Sequence, residues 1–70
     1  MQISARNQLK GTVKSVKLGN VMAEVVVELS SGEEIVSAIT RTSAESLDLK
    51  EGDQVVAIIK STEVIIGKNS

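Results

Sequence analysis

The chain has 70 residues and a formal net charge of −1, from 8 basic and 9 acidic side chains, and it contains no cysteine, histidine or aromatic residue although 41% of it is hydrophobic. At this length residues 1–70 form at most one domain with a marginal core, and the missing cysteine and histidine exclude disulfides and the usual zinc sites as extra stabilisation. Because disulfides and zinc are excluded, we expect association with further copies of the chain to stabilise this small core. The balanced charge and the missing aromatic platforms argue against a nucleic-acid binder.

The first half of the chain predicts two strands. Residues 9–18 are rich in β-branched residues and predict a strand that ends at a turn, Gly19-Asn20. Residues 21–30 alternate most clearly, so the second strand has one apolar face and one face that carries glutamates. The apolar face consists of Ala23, Val25, Val27 and Leu29.

Three further apolar runs follow a hairpin turn at residues 30–32. Residues 33–41 predict a strand, residues 55–60 predict another, and residues 63–68 predict one more. The last two runs are apolar on both faces. This is typical of a strand that is covered on both sides within a barrel or sandwich, or by a second subunit.

The segment before the last two runs has helix chemistry. Thr42 and Glu45 fit a capping box and predict a short helix at about 43–47. Gly52 stands where a helix end or a turn needs left-handed backbone. Short antiparallel strands with one helix predict an all-β fold, namely a small Greek-key barrel of the oligonucleotide/oligosaccharide-binding (OB) type.

Several classes of function are disfavoured. No segment has the length of a membrane span and the N-terminus lacks a signal-peptide pattern, so we expect a soluble, cytoplasmic protein without membrane contacts. There is no histidine base or cysteine nucleophile, and the carboxylates at Glu33-Glu34 and beside Gly52 are interpreted as solvated turn residues. The glycine spacing of a phosphate loop is also absent. The chain is therefore not expected to be an enzyme.

Hydrogen-bond donors and cations collect at the boundaries of the apolar elements. Three clusters stand out, at residues 4–7, 40–43 and 60–62. Arginine supplies a planar fork of donors, lysine a point charge, and serine and threonine supply donors without adding charge. Such a set suits a small tetrahedral oxyanion, provided that the clusters meet in space.

Plainer interpretations of the same residues stand beside this one. Thr42 and Ser43 can serve only as helix caps. Lys60 can be an edge charge that discourages aggregation, and Arg6 can form a surface ion pair of little energetic value. Nothing in the sequence places the clusters together, so the residues alone leave these alternatives open.

Two segments carry a family resemblance. "SARNQLKG" (4–11) resembles the opening signature of the molbindins, the small Mop-type molybdate-binding domains, and "AITRTSAESLDLKEGDQVVAIIKSTEVII" (38–66) is similar to the second half of the family. The resemblance implies an OB-type barrel that is intertwined in an oligomer, a homohexamer built as a trimer of dimers. It also implies that molybdate or tungstate binds in pockets between subunits.

The family's oxyanion ligands carry over position by position. The main site implied by the resemblance consists of Ser4, the Ala5 main chain, Arg6, Thr40, Ser43, Lys60 and Ser61. A second site maps poorly, with Gly19 and Asn20 as candidates. The implied function is intracellular molybdate storage without catalysis, and no metal is ligated directly by side chains. The alternative is a self-assembling structural β-barrel module without a ligand.

Overall fold

The computed structural model of the chain describes residues 1–69, which form one curled antiparallel sheet, a short α-helix and one 3-10 turn. The strands are β1 (Asn7–Leu18), β2 (Met22–Leu29), β3 (Glu34–Thr40) and β4 (Gln54–Ile59); helix α1 spans Arg41–Ser46, and the 3-10 helix spans Ser61–Glu63. Within the described range, no helix is both long and apolar enough to cross a membrane.

The sheet has the strand order β3-β2-β1-β4, with every neighbouring pair antiparallel. This is the Greek-key order, in which a fourth strand returns to lie beside the first. The long strand β1 is shared: its first half pairs with β4 and its second half with β2, and an irregularity between Val13 and Ser15 bends it. The sheet curls into a half-barrel whose edges are β3 and β4. The predicted all-β, OB-type fold with one short helix is confirmed.

The core lies on the concave face of the half-barrel and is small. Its buried hydrophobic residues are Val13, Ala23, Val25, Val27 and Ala44. The three from β2 are the predicted apolar face, and Leu29, the fourth residue of that face, packs against them half-buried. No aromatic side chain is available to fill the interior. A core of valine and alanine buries little apolar area, so the expectation of a marginal core is confirmed.

Gly11 lets β1 approach β2 closely. A Cβ atom at this position would lie 2.6 Å from Cγ1 of Val27 and 2.7 Å from the carbonyl oxygen of Glu28. Both distances are shorter than van der Waals contact, and one partner is backbone that cannot rotate away. Only glycine fits here without separating the two strands.

Helix α1 begins earlier than the sequence pattern predicted. Its N-cap is Thr40, whose side-chain oxygen accepts a hydrogen bond from the amide of Ser43 at 3.1 Å. The predicted capping box of Thr42 with Glu45 is wrong, because Thr42 lies inside the first turn. The amide of Arg41 donates to the carbonyl of Val21 at 2.7 Å and so extends the β2–β3 hydrogen bonding by one residue, but β3 ends at Thr40 rather than at the predicted residue 41 because the helix begins at Arg41.

The helix ends in a Schellman motif without glycine. Asp48 has a left-handed φ of 49°, its amide donates to Glu45, and the amide of Leu49 donates to Ala44. Gly52, with φ of 94°, lies in the turn before β4, where its amide donates to the carbonyl of Val13 at 2.8 Å. The predicted left-handed backbone at Gly52 is confirmed, but it shapes the turn and not the helix end.

The predicted strand at residues 63–68 is wrong for the isolated chain. This stretch begins within the 3-10 turn and continues without regular secondary structure. Val64, Ile65 and Ile66 are 45%, 93% and 85% exposed, so these apolar side chains pack little against their own chain. A run with strand propensity forms a strand only when a neighbour offers backbone hydrogen bonds, and none of the four strands pairs with it.

Candidate functional site

Two of the three polar clusters meet at one end of the half-barrel. Asn7, the first residue of β1, lies opposite Ile59, the last residue of β4. Because the two strands are antiparallel, the residues before Asn7 run alongside the residues after Ile59. The first and third clusters therefore face each other across a groove of about 380 Å³, which we call the terminal groove.

The terminal groove combines polar walls with an apolar floor. It is lined by Ile3, Ser4, Ala5, Ile58, Lys60, Ser61 and Thr62. Four of the predicted ligands are in this set, namely Ser4, Ala5, Lys60 and Ser61. Thr62 is an additional hydroxyl that the family pattern did not include, although it follows Ser61 directly. The lining contains one cation and no carboxylate, so it offers mainly donors to a bound group.

Two side-chain amides fasten the walls of the groove. The Nδ2 of Asn7 donates to the carbonyl oxygen of Ile59 at 3.1 Å. The Nε2 of Gln8 donates to the carbonyl oxygen of Ala5 at 2.7 Å. The first bond joins the two walls across 52 residues of sequence, and the second closes a turn in the N-terminal wall. The polar chain start is thus tied to the sheet.

Neither predicted cation has an acidic partner within the part of the chain that the structure describes. Of residues 1–69, none places a carboxylate oxygen within 4.0 Å of the Arg6 or Lys60 side-chain nitrogens. The surface ion pair considered for Arg6 is therefore not formed. Arg6 is exposed and adjoins the terminal groove through Ala5 without lining it.

Ion pairs occur away from the groove. Lys14 pairs with Glu34, and Lys50 pairs with Asp48 at 3.0 Å. The pKa of Lys14 and the pKa of Lys50 are both raised above the ordinary value of 10.5. The larger cause is the hydrogen bond to the carboxylate, and the smaller cause is the carboxylate's negative charge. Neither of these carboxylates lines the terminal groove. Within residues 1–69, no group of three or more acidic side chains is arranged to hold a metal ion.

Thr40 and Ser43, which we call the capping pair, form the second cluster. The Thr40 hydroxyl accepts from the Ser43 amide at 3.1 Å and donates to the Ser43 hydroxyl oxygen at 2.7 Å. Of the two hydroxyl hydrogens, this contact uses one. Both side chains are exposed. The capping pair therefore has one hydroxyl hydrogen to donate to its surroundings, in addition to capping α1.

The capping pair lies at the opposite end of the sheet from the terminal groove. Thr40 pairs with Met22, and the next residue of β2, Ala23, pairs with Leu18 at the end of β1. The groove instead lies at the start of β1, beside Asn7. β1 has 12 residues, and at about 3.3 Å per residue its ends lie on the order of 30 Å apart. A single chain thus divides the predicted main site into two half-sites that do not meet.

The candidates for the second site lie near the capping pair. Gly19 and Asn20 form the connection between β1 and β2, as the predicted turn requires. The amide of Gly19 donates to the carbonyl of Met22 at 2.8 Å, and its carbonyl accepts from Nη1 of Arg41 at 3.2 Å. Both main-chain groups of Gly19 are used within the chain, which leaves Asn20 as the exposed polar group of this turn.

Residues 3–66 match the TOBE domain family. Molybdenum-pterin-binding protein 3 of Clostridium pasteurianum is 54% identical over 66 residues, which are 94% of this chain and 97% of that protein. The solved structure of a molybdate-binding protein from Sporomusa ovata superposes with a TM-score of 0.91 at 47% identity, over 97% of this chain and all of that one. The structure of the cytoplasmic molybdate-binding protein ModG with molybdate bound gives a TM-score of 0.83 at 48% identity, over 87% of this chain and 43% of that one.

Proposed function

This chain belongs to the TOBE domain family and, within it, to the molbindins, and on that premise we propose that it binds molybdate and tungstate reversibly, without catalysis, as an intracellular store. The observation that carries the proposal is the terminal groove. Its lining residues come from both ends of the sequence, and four of them, Ser4, Ala5, Lys60 and Ser61, are ligand positions that the family pattern implies.

The chemistry of the groove supports a fully deprotonated oxyanion. Its side-chain donors are the ammonium group of Lys60 and the hydroxyls of Ser4, Ser61 and Thr62, and Arg6 stands next to it. No carboxylate in the lining repels a dianion. A partly protonated phosphate brings an O–H that needs an acceptor, and the side-chain acceptors of the lining are neutral hydroxyls, which accept more weakly than a carboxylate would. Sulfate has the same charge as molybdate, so we propose that the larger size of molybdate decides between them.

We further propose that the complete site forms between subunits. The capping pair and the terminal groove lie at opposite ends of β1, so one chain joins them only by meeting another copy. The proposed assembly is the homohexamer, a trimer of dimers, with the capping pair of one subunit facing the terminal groove of its neighbour. Each subunit then contributes to two sites.

The exposed apolar surface supports assembly. Val64, Ile65 and Ile66 are exposed in the single chain, and β3 and β4 are the edge strands of the sheet. Exposed apolar runs and open strand edges are costly in a soluble chain unless a partner covers them. We propose that this segment packs on a neighbouring copy in the intertwined oligomer, with residues 1–70 acting as one oxyanion-binding domain in the cytoplasm.

The same apolar surface is also the observation that favours the second candidate, a ligand-free structural module. The two candidates differ in what they need from Arg6 and Lys60. A purely structural module does not need a cation in the lining of the terminal groove or an arginine next to it, whereas an oxyanion site depends on both Lys60 and Arg6.

Native mass spectrometry separates the candidates. The chain has no tryptophan or tyrosine, so intrinsic fluorescence reports nothing. We expect a hexamer that takes up a fixed number of molybdate ions and ignores sulfate. Arg6→Ala and Lys60→Ala are expected to abolish uptake with the hexamer intact, while Lys10→Ala, an exposed lysine within β1, leaves uptake unchanged. A wild-type hexamer that takes up nothing would exclude the store and leave the structural module.

The names of the relatives mention a molybdenum pterin, and the experiment addresses this as well. A pterin ring binds well when it stacks on aromatic side chains, and this chain has none. We therefore expect uptake of molybdate alone, without an organic component. A bound mass larger than the oxyanion would contradict this part of the proposal.

A further inference from the structure

One side-chain hydrogen bond stands between the two proposed cations. Asn7 Nδ2 donates to the Ile59 carbonyl oxygen at 3.1 Å and is half-buried. Arg6 immediately precedes Asn7, and Lys60 immediately follows Ile59. Each cation is therefore one residue away from the same bond, although the two are far apart in sequence.

The bond acts on the direction in which Lys60 leaves the sheet. The Ile59 carbonyl and the Lys60 amide belong to one planar peptide unit, so a partner that holds the oxygen orients the whole plane. Lys60 follows the last residue of an edge strand, and its extended backbone (φ −62°, ψ 138°) leads directly into the 3-10 turn. Ile59 is the last paired residue of β4 and lies opposite Asn7 itself, so the side chain of Asn7 adds a second restraint, beyond the strand pairing, on the peptide that leads into Lys60.

We infer that Asn7 is a positioning residue of the oxyanion site, which fixes Arg6 and Lys60 relative to each other before the ligand arrives; this inference rests on the proposed function. Asn7 does not line the terminal groove and is not a ligand. Its effect is preorganisation: a site whose cations are already oriented loses less freedom on binding. An amide donor is needed, because a carboxylate in its place would repel the Ile59 carbonyl.

A matched control exists in the same strand pair. Gln54 Nε2 donates to the Thr12 hydroxyl at 2.9 Å, and Gln54 and Thr12 form the last pair of the β1–β4 ladder, at the end far from the groove. Asn7→Ala and Gln54→Ala each remove one such bond between β1 and β4. A merely structural role predicts similar effects of both substitutions on stability and on binding.

The experiment measures molybdate affinity by titration calorimetry on the intact oligomer, with thermal unfolding of each variant followed by circular dichroism. We expect Asn7→Ala to weaken molybdate binding about tenfold, the lower end of what loss of an outer-shell partner costs at metal sites. Gln54→Ala is expected to bind like the wild type. Asn7→Asp preserves the shape and is expected to bind more weakly than Asn7→Ala, because it adds negative charge beside the anion. Wild-type affinity in Asn7→Ala, or equal losses in Asn7→Ala and Gln54→Ala, would overturn the inference.

A double-mutant cycle tests whether Asn7 acts through Lys60. Lys60→Gln keeps a side-chain donor and is expected to weaken molybdate binding without abolishing it; if Asn7 acts by orienting Lys60, then adding Asn7→Ala to this protein costs little further affinity. Fully additive losses would show that Asn7 acts by another route and would overturn the inference. If the wild-type protein binds no molybdate, the proposed function itself fails and the inference fails with it. That outcome is distinct from a wild-type protein that binds while Asn7→Ala binds equally well.

Discussion

Thr40 has two roles that a pair of substitutions separates. Its side-chain oxygen caps α1 through the Ser43 amide at 3.1 Å, and its hydroxyl belongs to the proposed oxyanion site. Replacing an N-cap threonine by alanine costs about 1 kcal/mol. In a domain of this size about 1 kcal/mol lowers the melting temperature by roughly 4–8 °C. We therefore expect Thr40→Ala to lose both stability and molybdate binding.

Thr40→Asp is expected to lose only the binding. An aspartate is as good an N-cap as threonine or better, and its negative charge at the start of a helix adds roughly 0.3–1 kcal/mol of stabilisation. The same charge repels a dianion at close range. Ser43→Ala is the complementary change, because it keeps the amide that Thr40 caps and removes the outward hydroxyl. It is expected to retain its melting temperature and to bind molybdate more weakly.

The assay for these three variants is far-ultraviolet circular dichroism during heating, at one fixed protein concentration because an oligomer's melting temperature depends on it. Molybdate uptake is measured on the same samples by native mass spectrometry. Wild-type uptake by Thr40→Asp would refute the placement of Thr40 in the site. An unchanged melting temperature in Thr40→Ala would refute the capping argument, whatever happens to uptake.

Three further predictions concern the sheet and its surface. Gly11→Ala is expected to destabilise the protein by about 3 kcal/mol in urea unfolding, because its Cβ atom would lie 2.7 Å from backbone, while Gly67→Ala, with nothing within 4 Å, is expected to be neutral. Glu34 raises the pKa of Lys14, so their ion pair stabilises the fold fully below pH 10.5 and loses this effect as the pH rises through the folded-state pKa. The free energies of unfolding of the wild type and Glu34→Gln are therefore expected to converge at high pH. Ile65→Asp is expected to shift the mass measured by light scattering toward smaller species, because this side chain is 93% exposed in the single chain.

Each of these predictions has an outcome that contradicts it. Equal stability of Gly11→Ala and Gly67→Ala would mean that β1 and β2 separate at little cost. A constant stability difference between the wild type and Glu34→Gln across pH 10.5 would mean that the ion pair with Lys14 is not its source. An unchanged assembly in Ile65→Asp would mean that the C-terminal apolar segment lies outside the subunit interface.

The sequence by itself determined the features that depend on local periodicity. The alternation in residues 22–29 identified the buried face of β2, because successive side chains of a strand point to opposite sides whatever the partner is. The backbone at Gly52 was equally predictable, since it has a positive φ in a turn where other residues are strained. The donor chemistry of the three polar clusters was readable for the same reason, because it belongs to the residue types.

Only the tertiary structure decided which local option was used and which clusters meet. The sequence pattern predicted Thr42 as the cap, whereas in the structure Thr40 caps the helix by accepting a hydrogen bond from the Ser43 amide at the point where β3 ends. Residues 63–68 have strand propensity, yet a strand needs a hydrogen-bonding neighbour, which their own chain does not supply. The terminal groove exists because β1 and β4 pair antiparallel across some fifty residues, and the capping pair lies far from it because β1 is long. Strand pairing is non-local, so no window of the sequence contains the information that brings Ser4 to Lys60 and separates both from Thr40.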